Sequence, residues 1–114
     1  MSRRILCRLD EIADGGARGF APPAGGFTGM FAVRRGAAAF VYVNSCPHIG
    51  VPLDWAPDRF LTGDGQHIVC ATHGAEFDIA TGLCLRGPCL GDRLEAVPVE
   101  IRDGAIMVDA EAGL

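Results

Sequence analysis

Short stretches of hydrophobic residues, bounded by polar or glycine-containing turns, run along most of the chain and predict β-strands. The clearest pattern is a hairpin, with one strand at 30–34, a turn at Arg35-Gly36 and a returning strand at 38–43. Aromatic and β-branched residues occupy both faces of the returning strand, as strands favour. No window of about 12 residues has a convincing helical period. The pattern therefore predicts a β domain.

Two further hairpins are predicted in the second half of the chain. Residues 76–79 and 83–85 predict strands joined by a turn at 80–82. Asp103-Gly104, flanked by apolar residues, is the strongest short-range hairpin signal. The sequence "HIVC" predicts a short strand that ends at Cys70. At the start of the chain, "RILCRLDEI" opens like a strand, whereas the Gly- and Pro-rich segment at 13–26 predicts a loop.

Length and composition favour one small, turn-rich domain. A chain of 114 residues can build a single core but not two, so one domain is expected over 1–114. About half of the residues (49%) are hydrophobic, which argues against global disorder. The 16 glycines and 7 prolines are more typical of a turn-rich β domain than of a helical one.

Charge and the N-terminal pattern exclude several functions. The net charge is −4 and every one of the ten basic residues is arginine, without a basic run, which argues against a nucleic-acid partner. An acidic surface permits a positively charged protein partner. The apolar run near the start covers only residues 5–7, so neither a secretory segment nor a membrane span is expected. A cytoplasmic location is predicted.

Five cysteines, an odd number in a reducing compartment, favour metal or redox chemistry over a disulfide framework. Two short motifs carry that chemistry: "CPHIG", with Cys46 and His48, and "CATHG", with Cys70 and His73. Each motif offers one thiolate and one imidazole and ends on a glycine. Twenty-one residues separate His48 from Cys70.

The mixture of ligands within each motif bears on the kind of metal. Structural zinc sites with two Cys and two His usually group like with like along the chain. A [2Fe–2S] cluster gives the mixture a reason, because one iron can take both thiolates and the other both imidazoles. A zinc or mononuclear-iron site on the same four side chains remains an alternative at this point.

The two motifs together resemble the cluster-binding boxes of the Rieske [2Fe–2S] family. The run "HGAEFDIATGLCLRGP" is similar to the segment that follows the second box in that family. The resemblance covers nearly the whole chain and implies an all-β fold: a small antiparallel Rieske-type β-sandwich with an inserted cluster-binding subdomain at about 45–90. It implies one cluster per chain, held by Cys46, His48, Cys70 and His73, and a third loop with Pro88 that covers the cluster.

Departures from the family's high-potential members concern three positions. Val51 and Thr72 occupy the places of two cysteines that form a disulfide in those proteins, so no such bridge is expected here. Ala75 replaces a serine whose hydroxyl bonds a cluster sulfide. Because loss of donors to the sulfurs lowers the reduction potential, the resemblance implies a low-potential ferredoxin, below the standard hydrogen electrode.

The expected function is one-electron transfer rather than catalysis. The resemblance implies a carrier between a flavin reductase and a terminal oxygenase or other terminal enzyme, monomeric or weakly associating, with electrons leaving through His48 and His73. Two alternatives stay open: a tightly bound small subunit of a larger reductase, of the nitrite reductase type, and a non-redox, metal-stabilised binding module. Neither nucleic acid nor membrane is expected as a partner.

The sequence also gives structural expectations for residues outside the two motifs. Cys7 is expected to be a buried hydrophobe. Cys84 and Cys89 are expected to pack in the core or a loop, with transient pairing as the lesser alternative. His67 is expected at the surface or as a hydrogen-bonded structural residue, and Trp55 in partial burial or at an exposed docking site.

The remaining expectations concern the inserted segment and its surroundings. Residues 55–65 are expected to shape a partner surface. Gly74 is expected to let the backbone approach the cluster and donate N–H groups to its sulfurs. Five carboxylates are expected to form a solvated face: Asp54, Asp58, Asp64, Asp92 and Glu95.

Overall fold

The computed structural model describes residues 3–21, 29–47, 52–54, 56, 58–72 and 74–109. Within these residues the chain forms ten β-strands and one short 3-10 turn at Leu9–Glu11, without an α-helix. The strands are β1 (Arg3–Arg8), β2 (Ala17–Phe20), β3 (Met30–Arg35), β4 (Ala38–Val43), β5 (Ile68–Val69), β6 (Glu76–Phe77), β7 (Cys84–Arg86), β8 (Ala96–Val97), β9 (Val99–Arg102) and β10 (Ala105–Asp109). The predicted all-β class is confirmed, and the described residues contain no helix long and apolar enough to cross a membrane.

The strands form three antiparallel sheets, with orders β1-β10-β9, β2-β3-β4-β8 and β5-β6-β7. The β3–β4 hairpin lies between two hydrophobic cores, so the expectation of a single core is wrong. Met30 and Ala32 of β3 face one core with β1 and β10, whereas Phe31 and Val33 face the other, next to the small third sheet. Burial on both faces explains why β3 begins as a continuous apolar run rather than an alternating one.

Two of the predicted hairpins are confirmed with small shifts. β3 and β4 pair from Met30↔Val43 to Arg35↔Ala38, so Arg35 belongs to the strand and the turn moves to Gly36-Ala37. β9 and β10 are joined by Asp103-Gly104, and both turn residues have positive φ (52° and 76°), as a type I′ turn requires.

The third predicted hairpin is shorter than the sequence indicates. β6 ends at Phe77 because Asp78 turns the chain instead of continuing it. The Asp78 carboxylate accepts hydrogen bonds from the N–H and the hydroxyl of Thr81, each 2.8 Å long. These bonds hold the pKa of Asp78 below its usual value. Thr81 and Gly82 therefore form a local turn, and β7 begins at Cys84.

The prediction of a loop throughout 13–26 is wrong for β2. Ala17 to Phe20 pair with Val33 to Met30 along the edge of β3. Only Phe20 is a strong strand former, so tertiary pairing, not local preference, sets this strand. Gly19 fits closely there, because a Cβ on it would lie 3.1 Å from the ring of Phe60.

The contact between Gly19 and Phe60 is one of several that attach the segment before β5 to β2 and β3. Phe60 is fully buried, and its ring stacks on Phe31 with centroids 4.4 Å apart. Asp58 accepts a 2.7 Å hydrogen bond from the N–H of Gly19. The segment that precedes β5 is thus fixed to β2 and β3, and β5 delivers the second Cys/His motif from a fixed position.

Candidate metal centre

The cysteines of the two motifs lie at the ends of strands and in the same core. Cys46 follows β4 by three residues, and Cys70 follows β5 directly. Their exposed fractions are 2% and 0%. Both belong to the core between β3–β4 and the third sheet. All five cysteines lie within the described residues, and no disulfide joins any of them.

The second motif is folded into a tight loop by its own backbone. The N–H of Cys70 donates to the carbonyl of Ala75 over 2.8 Å, and the N–H of Gly74 donates to the carbonyl of Cys70 over 2.9 Å. Gly74 has φ of +71°, which glycine adopts without strain. Because its own N–H is used within the loop, Gly74 serves to close the turn.

Two hydrogen-bonded residues connect the first motif to the second. The side-chain oxygen of Asn44 accepts from the N–H of Leu53 over 2.8 Å, and its amide nitrogen donates to Asp54 over 3.2 Å. The carbonyl of Leu53 in turn accepts from the N–H of Ala71 over 3.0 Å. Asn44 thus couples the strand end before Cys46 to the loop after Cys70.

A third loop packs against the second motif. Gly87 has φ of +108°, and a Cβ on it would lie 2.8 Å from the Cα of Ala75. The backbone of the Gly87-Pro88 segment therefore touches the residue that follows Gly74. Ala75 is 1% exposed and carries no hydroxyl.

This arrangement of two motifs and a third loop matches a known family. The profile of the Rieske [2Fe–2S] domain matches residues 5–100. The chain belongs to the Rieske [2Fe–2S] domain family. A domain of this family carries a Rieske-type [2Fe–2S] cluster, in which thiolates and imidazoles share the two irons.

Solved structures support the same fold. The ferredoxin of carbazole 1,9a-dioxygenase from Nocardioides aromaticivorans IC177 has a TM-score of 0.76 and 23% identity, covering 96% of this chain and 98% of its own. The Sphingomonas yanoikuyae B1 ferredoxin has a TM-score of 0.74 and 28% identity, covering 95% of this chain and 98% of its own.

A third structure contains a redox partner. The complex of reduced oxygenase and oxidised ferredoxin in carbazole 1,9a-dioxygenase has a TM-score of 0.75 and 24% identity, covering 98% of this chain and 96% of the matched chain. No curated protein matches the chain.

The described part of the Rieske domain is chemically suited to such a cluster. Cys46 and Cys70 lie in an apolar core, and no described polar or charged side chain is buried beside them. Burial makes an isolated thiolate costly, so a metal is a natural partner for its charge. Within the described residues, no group of three or more His, Cys, Asp or Glu side chains could hold a metal ion.

Four residues with sequence expectations lie outside the described residues: His48, His73, Val51 and Trp55. The structure therefore places two of the four predicted ligands, Cys46 and Cys70, in one core, and the role of all four as ligands stays a prediction.

The other candidate residues of the Rieske domain fall into structural roles. Cys7 is 6% exposed in the core beside β1 and β10, as predicted. His67 is half-buried, with its Nδ1 atom 3.6 Å from Glu76, and an arginine lies on the other side of that carboxylate. Cys84 and Cys89 are each 2% exposed, as predicted for core packing.

The predicted face of solvated carboxylates needs correction. Asp64, Asp92 and Glu95 are exposed. Asp58 is exposed too, but it accepts the Gly19 hydrogen bond that anchors the insert. Asp54 is half-buried and accepts from Asn44.

Sequence reasoning missed Asn44 and Leu53, the residues that tie the motifs together. An asparagine directly after a strand and two positions before a ligating cysteine is the signal that could have found this link, because its side chain can bond backbone on either side.

Proposed function

We propose that this protein is a Rieske-type ferredoxin, a one-electron carrier rather than a catalyst. The observation that carries the proposal is mutual coverage. The stand-alone ferredoxins match this chain over 96% and 95% of its length and over 98% of their own. The Rieske domain match over residues 5–100 accounts for most of the 114 residues.

The proposed ligands are Cys46 and Cys70 on one iron and His48 and His73 on the other. Support comes from the two cysteines, which are buried in one core shortly after the ends of β4 and β5. A Rieske cluster supplies reversible one-electron chemistry. The proposal treats 1–114 as one domain, with the cluster-binding part at about 45–90.

The chain's own residues do three things in this scheme. The apolar core around the thiols keeps water from the sulfurs. The hydrogen bonds of Asn44 and Leu53 hold the two motifs at a fixed separation. The contact of Gly87 with Ala75 holds the third loop against the second motif. A rigid site of this kind limits the rearrangement that accompanies each change of charge.

The proposed acceptor is a terminal oxygenase, and the proposed donor is a flavin reductase. The matched ferredoxin in complex with the reduced oxygenase of carbazole 1,9a-dioxygenase supports the acceptor class. Leu85 and Leu90, on either side of the third loop, are 45% and 68% exposed and give an apolar surface for brief docking. The proposed carrier is a monomer and works in the cytoplasm, where stable structural disulfides are rare.

The test of this function combines size and redox titration on the purified full chain. The account predicts a 12.0 kDa monomer by gel filtration that keeps its cluster. It also predicts a single reversible one-electron transition with a midpoint potential below that of the standard hydrogen electrode. Visible circular dichroism monitors this titration. Self-association with loss of the cluster would favour a subunit of a larger reductase. A redox-silent protein would contradict electron transfer altogether.

The proposed low reduction potential can be tested by a substitution at Ala75. Changing Ala75→Ser adds a hydroxyl at a buried position of the second motif, and a donor to a cluster sulfur raises the reduction potential. Ala71→Ser adds the same hydroxyl at an exposed position of the same loop and serves as the control. Redox titration should show a higher midpoint for Ala75→Ser alone. Equal midpoints in both variants and the wild type would contradict this reason for the low potential.

A further inference from the structure

Two cysteines outside the proposed ligand set touch each other. The sulfur of Cys89 lies 3.0 Å from the sulfur of Cys84, and the Cys89 thiol donates to it. The Cys84 thiol in turn donates to the carbonyl of Arg86 over 3.3 Å. Each cysteine is only 2% exposed. Cys84 opens β7, and Cys89 follows the Gly87-Pro88 segment of the third loop.

Backbone hydrogen bonds hold this pair in position. The N–H of Cys84 donates to the carbonyl of Asp92 over 2.8 Å, and the N–H of Asp92 donates to the carbonyl of Cys89 over 2.8 Å. A further bond of 3.2 Å joins Leu90 to Gly87 across the loop. The chain therefore folds back so that the two side chains meet. A disulfide needs its sulfurs about 2.05 Å apart, so an approach of about 1 Å would complete one.

The surroundings of the pair decide how it reacts. Both sulfurs lie in the apolar core, where burial, the Cys84 thiol and the nearby Cys46 raise the pKa of Cys89 to about 12. A thiol of this kind is a poor nucleophile while the loop is closed. The residues on both sides of Cys89, at 85–88 and 90–93, are exposed. Opening of this short segment is therefore enough to bring the thiol to the surface.

We propose that Cys84 and Cys89 form a reversible, redox-responsive disulfide that closes the third loop onto β7. The oxidant is a low-molecular-weight disulfide such as oxidised glutathione. One cysteine thiolate attacks an oxidant sulfur and expels one glutathione thiolate, which gives a mixed disulfide. The second cysteine then attacks the protein sulfur of that mixed disulfide and expels the second glutathione. Two thiol protons leave, the cysteine pair loses two electrons, and the oxidant becomes two thiols.

The position of the bond gives it a consequence. Gly87 lies inside the segment that the bond closes, and its backbone touches Ala75 of the second motif. Closing the segment restricts the loop that packs on the metal centre. The oxidised protein should therefore lose its cluster more slowly than the reduced protein when a chelator is present. The inference concerns residues outside the proposed ligand set, and the bond itself can be measured without any redox partner.

The test uses the cluster-loaded full chain, incubated with oxidised glutathione and then denatured and alkylated. The reduced chain has five cysteines, so formation of one disulfide should lower the number of alkylated cysteines from five to three. Reduction with dithiothreitol should restore five. Trypsin cuts after Arg86 and places the two cysteines on separate peptides. A second digestion with endoproteinase Asp-N, which cuts before Asp78, separates Cys84 from Cys70.

Mass spectrometry then identifies the bond directly. The proposal predicts a cross-link between the peptides that begin at Asp78 and at Gly87, absent in Cys84→Ala and in Cys89→Ala. Cys7→Ala removes a buried cysteine in the other core and should leave the cross-link unchanged. The wild-type result stands even if a variant fails to fold. Five alkylated cysteines after oxidation, or a cross-link from Cys89 to Cys46 or Cys70, would overturn the proposal.

Discussion

At the scale of single residues, Tyr42 links the central hairpin to the segment that follows the second motif. Its hydroxyl donates a 2.6 Å hydrogen bond to the carbonyl of Ile79, and its side chain is 2% exposed. A Cβ on Gly82 would lie 2.8 Å from its ring, so a glycine there makes room for the tyrosine. Burial, with the negative charge of Asp78, raises the pKa of Tyr42 to about 12.

Tyr42 is the one tyrosine in the chain, so its ionisation can be followed alone. Its folded-state pKa lies above the ordinary value of 10.0, so folding favours the neutral phenol. The stability that this contributes is fully present below pH 10 and is lost as the pH rises towards 12. Ultraviolet difference spectra should therefore show no phenolate near pH 10. A reversible midpoint near 10, with the fold intact by circular dichroism, would contradict the burial of this hydroxyl.

At the scale of elements, the position of the second motif depends on two attachments. One joins the segment before β5 to the β3–β4 hairpin, and the other joins the third loop to the residue that follows the second motif. Phe60 fills the core from the insert side and stacks on Phe31. The third loop attaches through the contact of Gly87 with Ala75. Among the described residues neither attachment contains a buried charged side chain, so packing is the main force at both junctions.

Phe60→Ala should weaken the attachment of the insert. Removal of a fully buried phenylalanine typically costs about 3–5 kcal/mol, a large share of the stability of a small domain. Phe40→Ala, at a partly buried position beside the same core, is the matched control and should cost less. Denaturant unfolding gives the free energies, and the decay of visible absorbance with a chelator gives the rate of cluster loss. Equal losses in both variants would contradict the anchoring role of Phe60.

Gly87→Ala should loosen the third loop. Both Gly87 and Gly91 have positive φ (108° and 95°), so alanine is strained at either position. Only at Gly87 does the new Cβ collide with backbone, and such overpacking adds about 1–3 kcal/mol. Gly91→Ala, with open space around its Cβ, is the matched control. Cluster loss should be faster for Gly87→Ala than for Gly91→Ala. Identical rates would show that the third loop does not depend on this contact.

The elements also show what the sequence could and could not predict. Turns with a local signal, such as Asp103-Gly104, were predicted correctly because two residues determine their backbone conformation. β2 was missed because its pairing with β3 comes from a distant part of the chain. The contact between Cys84 and Cys89 was anticipated only as a lesser alternative, since it depends on how Asp92 pairs with Cys84 across the third loop.

At the scale of the whole molecule, the two larger sheets share one core. The small third sheet, which adjoins the second motif, shares the other core with β3 and β4. The family match over residues 5–100 and the ferredoxin structures agree with this architecture. The motif spacing indicated a mixed Cys/His metal centre but left zinc and mononuclear iron open, and the resemblance to the Rieske family indicated the [2Fe–2S] cluster. The links made by Asn44 and Phe60 needed the folded structure, since each depends on a contact between separate segments.

The most direct test of the account is low-temperature electron paramagnetic resonance of the purified chain. The same sample is measured as isolated and after dithionite, with iron, sulfide and zinc quantified. The account predicts two irons per chain and a signal that arises only on reduction, with an average g-value below that of an all-cysteine [2Fe–2S] cluster. A silent protein with one zinc, which forms no cluster on anaerobic reconstitution, would contradict the account.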